Sequence, residues 1–243
     1  MLTEPLYQGL QSLGLQGMAR AFAAQQQATH GTLDFGDRLA LLIDAEQRER
    51  RERRYVQRLR WARLGQQASL EDLDSQAPRG LDRRVVAQLG SLAFLADKLN
   101  VLITGPTGVG KSYLACALGQ QACREDASVR YLRLPRLGEE LARADALKRK
   151  SLFFKHLAKF QLLILDDFGL TPLADATQRD LLEIIDDRFG KTSTLVTSQL
   201  PVAKWHEYLG NPTLADAILD RLVHNAYTIE LRGESMRRRQ RAS

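Results

Sequence analysis

Cysteine is almost missing: Cys116 and Cys123 are the only two in 243 residues. They stand two helical turns apart in one Ala- and Leu-rich stretch, so they read as small buried apolar residues and a disulfide framework is excluded. No apolar run reaches the 18 residues of a membrane-spanning helix. The start, MLTEPLYQGLQSLG, has neither the basic nor the apolar region of a secretory signal. A cytoplasmic location, with no membrane partner, is the expectation. No internal repeat is visible either. What is present is an apolar fraction of 44% beside a net charge of only +6, which excludes disorder as the dominant state. The length suits one ordinary domain with a smaller appendage.

The positive charge is uneven. Arginine outnumbers lysine 27 to 8. The segment from Glu46 to Arg63 carries eight Arg against three Glu, a net +5, and the tail from Arg232 to Arg241 a net +4. The remainder is close to −3. Net charge speaks to partners rather than to fold, and two basic clusters on a near-neutral body point to a polyanion. Glu46, Glu49 and Glu52 lie at pairing distance along a helix from their Arg neighbours. Three Glu cannot neutralise eight Arg, which favours the polyanion over a self-paired solvated helix.

Periodicity divides the chain in two. Leu6, Leu10 and Leu13, then Met18, Ala19 and Phe22, recur at helical spacing, with Gly14 leaving two short helices or one bent one open. Asp34 is an N-cap candidate for a long helix from Asp37 to about Leu64. The segment from Gly65 to Gly80 has linker composition, so the expected division is an N-terminal helical module over 1–80 and a second domain over 81–243. Beyond it, NVLITG, SVRYLRL, QLLILDD, STLVTSQ and YTIELRG read as strands separated by helical stretches. Strands that are apolar throughout and alternate with helices indicate an α/β fold with a parallel sheet covered on both faces.

One motif carries the chemistry. Gly105, Pro106, Thr107, Gly108, Val109, Gly110, Lys111 and Ser112 form a complete GxxxxGK[ST] phosphate loop, placed after a predicted strand and before a predicted helix. The glycines let successive N–H groups turn in around phosphate oxygens. Lys111 would reach the β- and γ-phosphates and the Ser112 hydroxyl would hold Mg²⁺, with the helix N-terminus adding positive potential. The later strand LLILDD delivers Asp166 and Asp167 at its end. Asp166 is the candidate metal carboxylate and Asp167 the candidate group for orienting or deprotonating the attacking water. ATP and Mg²⁺ are the expected cofactors.

GPTGVGKSYLACALGQQACR, LLILDDFGL and TSQLP together closely resemble the IstB-like ATPases of insertion sequences, AAA+ proteins similar to the DnaC helicase loaders and to DnaA. The resemblance spans almost the whole chain. It implies an AAA+ phosphate-loop sheet and a polar residue, Ser198 or by preference Gln199, at the attacking water or γ-phosphate. It further implies that Arg221 completes the site of a neighbouring copy, so that ATP bridges a homo-oligomer. Arg237 would stand in for the nucleotide-sensing arginine of a C-terminal lid that is nearly absent here. Asp167, shorter than the usual Glu, implies slow, assembly-coupled hydrolysis.

The expected function is therefore an ATP-dependent DNA-binding ATPase that assembles on duplex DNA and assists the transposase of its own element. Arg48, Arg50, Arg51, Arg53, Arg54, Arg58 and Arg60, with Lys148 and Lys150 in a basic stretch between the second and third strands, are the DNA-contact candidates. Such contacts grip phosphates rather than read bases. A DnaC-like helicase loader shares the same core and is the alternative. A small-molecule P-loop kinase lacks an evident acceptor-binding or Arg-rich lid segment.

Overall fold

Apolar runs such as VLIT and LLIL leave water by pairing, and here they form the buried centre of one parallel sheet whose last strand, AYTIE, is mostly exposed. The computed structural model describes residues 3–27, 33–74, 80–81 and 83–236. Along the chain these form α1 (Thr3–Ser12), α2 (Gln16–Gln27), α3 (Phe35–Ala62), α4 (Arg83–Gly90), α5 (Ala93–Ala96) and β1 (Asn100–Thr104). Then come α6 (Lys111–Arg124), β2 (Val129–Arg133), α7 (Leu134–Ala146), α8 (Lys150–Ala158), β3 (Leu162–Phe168), α9 (Asp175–Arg188) and β4 (Ser193–Ser198). After a short 3₁₀ turn, α10 (Trp205–Leu209), α11 (Pro212–Val223) and β5 (Ala226–Glu230) close the order. The strands run β2-β3-β4-β1-β5, all parallel. This is the α/β architecture expected from the sequence. Both cysteines are buried and free, as expected.

The chain divides into two compact units, Met1–Gln57 and Arg58–Ser243. The dividing point lies inside α3, upstream of the expected division at 80/81. The reason is packing: Ala62, Ala68, Leu73 and Leu81 are all buried, and the Ser69 carbonyl accepts from the Tyr113 hydroxyl at 3.5 Å. Residues 65–74 of the stretch with linker composition are a packed strap of the second unit.

In the first unit Gly14, at φ 74°, separates α1 from α2, which decides for two helices. The Asp34 carboxylate accepts from the Asp37 N–H at 2.8 Å and caps α3. Glu46, 6% exposed, accepts from the backbone N–H groups of Gly17 (2.8 Å) and Met18 (3.3 Å) at the start of α2 and from Arg50 Nε (2.7 Å). Gly17 makes this approach possible, since a Cβ there would lie 2.5 Å from the Ala45 carbonyl oxygen.

In the second unit a hydrophobic core lies between β1, β2, β3 and β4 and helices α7 to α11, around Phe168, Trp205, Leu137 and Ile218. Arg188 is buried within it. Its guanidinium donates to the carbonyls of Leu157, Phe160 and Ser193 and to the Thr194 hydroxyl, and burial pulls its pKa down to about 9. Those bonds tie the ends of α8, α9 and β4 at the sheet edge where the strands begin.

Two outcomes follow for the first unit. Gly17→Ala should cost about 1–3 kcal/mol by forcing α2 off α3, read as lower hydrogen-exchange protection of α2 in the full chain. Arg50 and the two α2 N–H groups hold the Glu46 carboxyl below its ordinary 4.5. Its contribution is therefore complete above that value and lost as pH falls through the lowered one. Protection of α2, corrected for intrinsic rates, should fall over that window, and Glu46→Gln should remove that pH dependence.

Candidate functional site

The C-terminal ends of the parallel strands gather the polar residues. The loop from Gly105 to Gly110 joins β1 to α6 with φ of 143° at Gly105, 86° at Gly108 and 99° at Gly110, all conformations that favour glycine. A Cβ at Gly105 would overlap the Leu231 carbonyl oxygen, and one at Gly108 the Ser235 side chain. The strap after β5 thus lies directly on the loop, fixed by Met236 N–H donating to the Gly108 carbonyl at 2.9 Å.

Lys111, 8% exposed, donates from Nζ to the carbonyls of Gly105 (2.8 Å) and Pro106 (2.7 Å). Burial pulls its pKa down, and the carboxylates of Asp166 and Asp167 oppose that shift. Ser112, in the first turn of α6, donates from Oγ to Asp166 Oδ1 at 2.9 Å. The Thr197 hydroxyl of β4 donates to the same oxygen, and the Tyr131 hydroxyl of β2 to Oδ2 at 2.6 Å. Asp166, 2% exposed, is therefore met by three hydroxyls from three elements. Burial and the bond to Asp166 push the Tyr131 hydroxyl well above its ordinary pKa, so it stays a donor.

Asp167 sits where β3 and β4 slip register between Leu165 and Phe168, with φ 64°. The bulge turns consecutive carboxylates to different surroundings instead of to opposite sheet faces. Asp167 Oδ2 accepts from Arg133 Nε (3.0 Å) and Nη2 (2.6 Å), which raises the pKa of Arg133. Gln199 Oε1 accepts from the Thr107 hydroxyl at 2.8 Å, at the tip of the phosphate loop. Ser198 is turned into the sheet, donating to the Phe168 carbonyl at 2.7 Å.

The Ser112 hydroxyl and the Asp166 carboxylate are hard oxygen donors, which suit Mg²⁺. No cluster of three or more His, Cys, Asp or Glu positioned for a metal exists among the described residues, so nothing there favours a softer ion.

Residues 8–243 match the family of IstB-like ATP binding proteins. The chain belongs to that family. A curated relative, the insertion sequence ATP-binding protein y4pL of Sinorhizobium fredii strain NGR234, is 50% identical over 242 residues, covering 99% of each chain. Among solved structures, DnaI matches with a TM-score of 0.58 at 23% identity, covering 68% of this chain and 91% of that one. The replication initiator DnaA bound to AMPPCP and single-stranded DNA matches at 0.57 and 16% identity, covering 71% and 52%. At such identities the likeness is one of fold, the AAA+ phosphate-loop sheet.

In this IstB-like chain Arg221 stands at the far end of the sheet. Its backbone carbonyl accepts from the Asn100 side chain at 2.9 Å, at the start of β1, whereas the phosphate loop follows the end of that strand. Its guanidinium pairs with Asp186 at 2.5 Å and donates to the Ala217 carbonyl at 2.9 Å. The fold does not bring Arg221 to its own chain's loop. Arg237 lies outside the described residues.

The DNA-contact candidates separate by partner. Arg48 pairs with Asp44, Arg50 with Glu46, Arg53 with Glu49 and Arg58 with Asp126, while Lys150 pairs with Asp180 at 2.8 Å. Arg51, Arg54, Arg60 and Lys148 are exposed and have no ion pair among the described residues. The expected basic face between β2 and β3 is broken into α7 and α8, and the Lys148 backbone turns between them at φ 53°.

Tyr131, Arg133 and Thr197 are the site residues that sequence reading missed. Their signal lay in register: Arg133 is aligned with Asp166 in the β2–β3 pair, and Tyr131 is two residues back on the same strand face. Motif spacing carries no strand order, so it could not supply this. Lys111→Ala should lower affinity for a fluorescent ATP analogue by at least about tenfold while far-ultraviolet circular dichroism stays unchanged, since the lost group is the loop's buried cation.

Proposed function

We propose that this chain is an ATP-hydrolysing switch that assembles on duplex DNA and assists the transposase of its insertion sequence. The observation that carries the reading is the convergence at the strand ends of Lys111, Ser112 and Asp166 with a second, separately held carboxylate, Asp167. Family membership supports the insertion-sequence setting over helicase loading, because the likeness to DnaI and DnaA is of fold alone.

The residues divide the work by their chemistry. Loop N–H groups, the N-terminus of α6 and Lys111 bind the phosphates. Ser112 and Asp166 would hold Mg²⁺, which would neutralise phosphate charge when bound. Asp167 accepts a proton from the attacking water at Oδ1, since both Arg133 donors occupy Oδ2. Gln199, held on Thr107, orients that water or the γ-phosphate. Arg221, remote from its own loop, stabilises charge developing in a neighbouring copy's site, which couples hydrolysis to assembly.

Duplex DNA is held by phosphate contacts. Arg51, Arg54, Arg60 and Lys148 carry them without first breaking a pair, and Arg48 and Arg53 are drawn in at small cost, because exposed ion pairs contribute little; Arg50 contributes least, since leaving Glu46 uncovers a buried carboxylate. Such binding is sequence-tolerant and weakens steeply with salt.

Asp167→Asn tests the reading. The variant keeps Ser112 and Asp166, so it should bind ATP with Mg²⁺ at near wild-type affinity. Hydrolysis should fall by about 100-fold or more, and the ATP-dependent complex with DNA should persist. Hydrolysis at the wild-type rate would remove Asp167 from the water-activating role.

A further inference from the structure

The reading above leaves unexplained why a tyrosine hydroxyl is buried against the metal-side carboxylate. Tyr131 is 9% exposed and its hydroxyl lies 2.6 Å from Asp166 Oδ2. A phenylalanine would fill the same space without a polar group to satisfy. The opposite side of the hydroxyl is walled by the strap that follows α3. A Cβ placed on Gly65 would come 2.6 Å from the Tyr131 hydroxyl oxygen and 2.7 Å from the ring carbon bearing it. The strap packs closely on α6, where a Cβ on Gly119 would come 2.9 Å from the Leu64 side chain. The phenol therefore has one direction in which to donate.

The carboxylate of Asp166 is fixed differently at its two oxygens. Among the described residues Oδ2 is engaged by Tyr131 alone, and Oδ1 takes the hydroxyls of Ser112 and Thr197. The bond at Oδ2 opposes rotation of the carboxylate about its Cβ–Cγ bond, which keeps Oδ1 presented to Ser112. Outer hydrogen bonds of this kind orient a ligand oxygen and set metal affinity.

We propose that Tyr131 is a positioning residue for the metal site: by holding Asp166 Oδ2 against the wall formed at Gly65, it aims Oδ1 at the cation shared with Ser112. The proposal rests on the assignment of Asp166 and Ser112 to Mg²⁺.

The test is a Mg²⁺ titration of fluorescent ATP-analogue binding by the full chain, followed without turnover. In Tyr131→Phe the Mg²⁺ concentration giving half of the metal-dependent tightening should rise about tenfold. Analogue affinity in EDTA should stay within about twofold of wild type, because no phosphate contact is touched. A role confined to packing would leave the Mg²⁺ requirement where it is in wild type, and that result overturns the proposal. Asp166→Asn separates this from the underlying assignment. Loss of metal-dependent tightening in Asp166→Asn beside an unmoved Tyr131→Phe defeats the Tyr131 role alone. Wild-type tightening in Asp166→Asn defeats the assignment of the metal site itself.

Discussion

A carboxylate taken out of water must be repaid by donors, and Asp166 is the point at which this fold meets that demand. It lies on the inner strand β3 with almost no exposure, and hydroxyls from α6, β2 and β4 converge on it. An uncompensated buried carboxylate costs several kcal/mol, so the three hydroxyls are constrained as tightly as the acid. This constraint fixes the first turn of α6, and so the phosphate loop, relative to the sheet. It fixes the end of β4, from which Gln199 reaches Thr107. It also fixes β2, from which Arg133 reaches Asp167. The nucleotide site is the outer surface of this polar core.

The two ends of the sheet are built differently. At the strand ends, left-handed glycines, the bulge at Asp167 and the Asp167–Arg133 pair store adjustable geometry in backbone and exposed charge. At the strand starts, Arg188 and Asn100 lock α8, α9, α11, β1 and β4 through hydrogen bonds to carbonyls and backbone N–H groups. Arg221 belongs to that rigid end. A cation mounted there is well placed to report to another molecule and poorly placed to serve its own site. This separation is the physical reason for reading the switch as one that works between copies.

Much of this was legible in the sequence, for reasons that differ by residue. The three inner strands could be read because parallel strands covered on both faces are apolar along most of their length, as in Leu162–Leu165 and Leu195–Val196; the edge strands β2 (VRYLR) and β5 (AYTIE) carry exposed polar residues. The phosphate loop could be read because its glycines and Lys111 are demanded locally, within eight residues. The partners of Asp166 and Asp167 could not, because they come from strands 30 or more residues away whose order no local pattern encodes. The segment after α3 misled for another reason. Polar and small residues such as Ser69 and Asp72 suggest a linker, but Gly65 and Ala68 are small because they pack closely. In the Arg-rich helix, composition gave the net charge correctly. It could not say that Asp44, Glu46 and Glu49 are spent on Arg48, Arg50 and Arg53, leaving Arg51, Arg54 and Arg60 without an acidic partner among the described residues.

The central claim is that nucleotide held at Lys111, Ser112 and Asp166 controls association between copies on DNA. Sedimentation velocity of the full chain with a duplex of a few tens of base pairs, at low and at moderate salt, tests it most directly. With ATP and Mg²⁺ the account predicts a DNA-bound species of several protein copies that dissolves as salt is raised; without nucleotide, no such species forms. The same sedimenting species with and without ATP would contradict it.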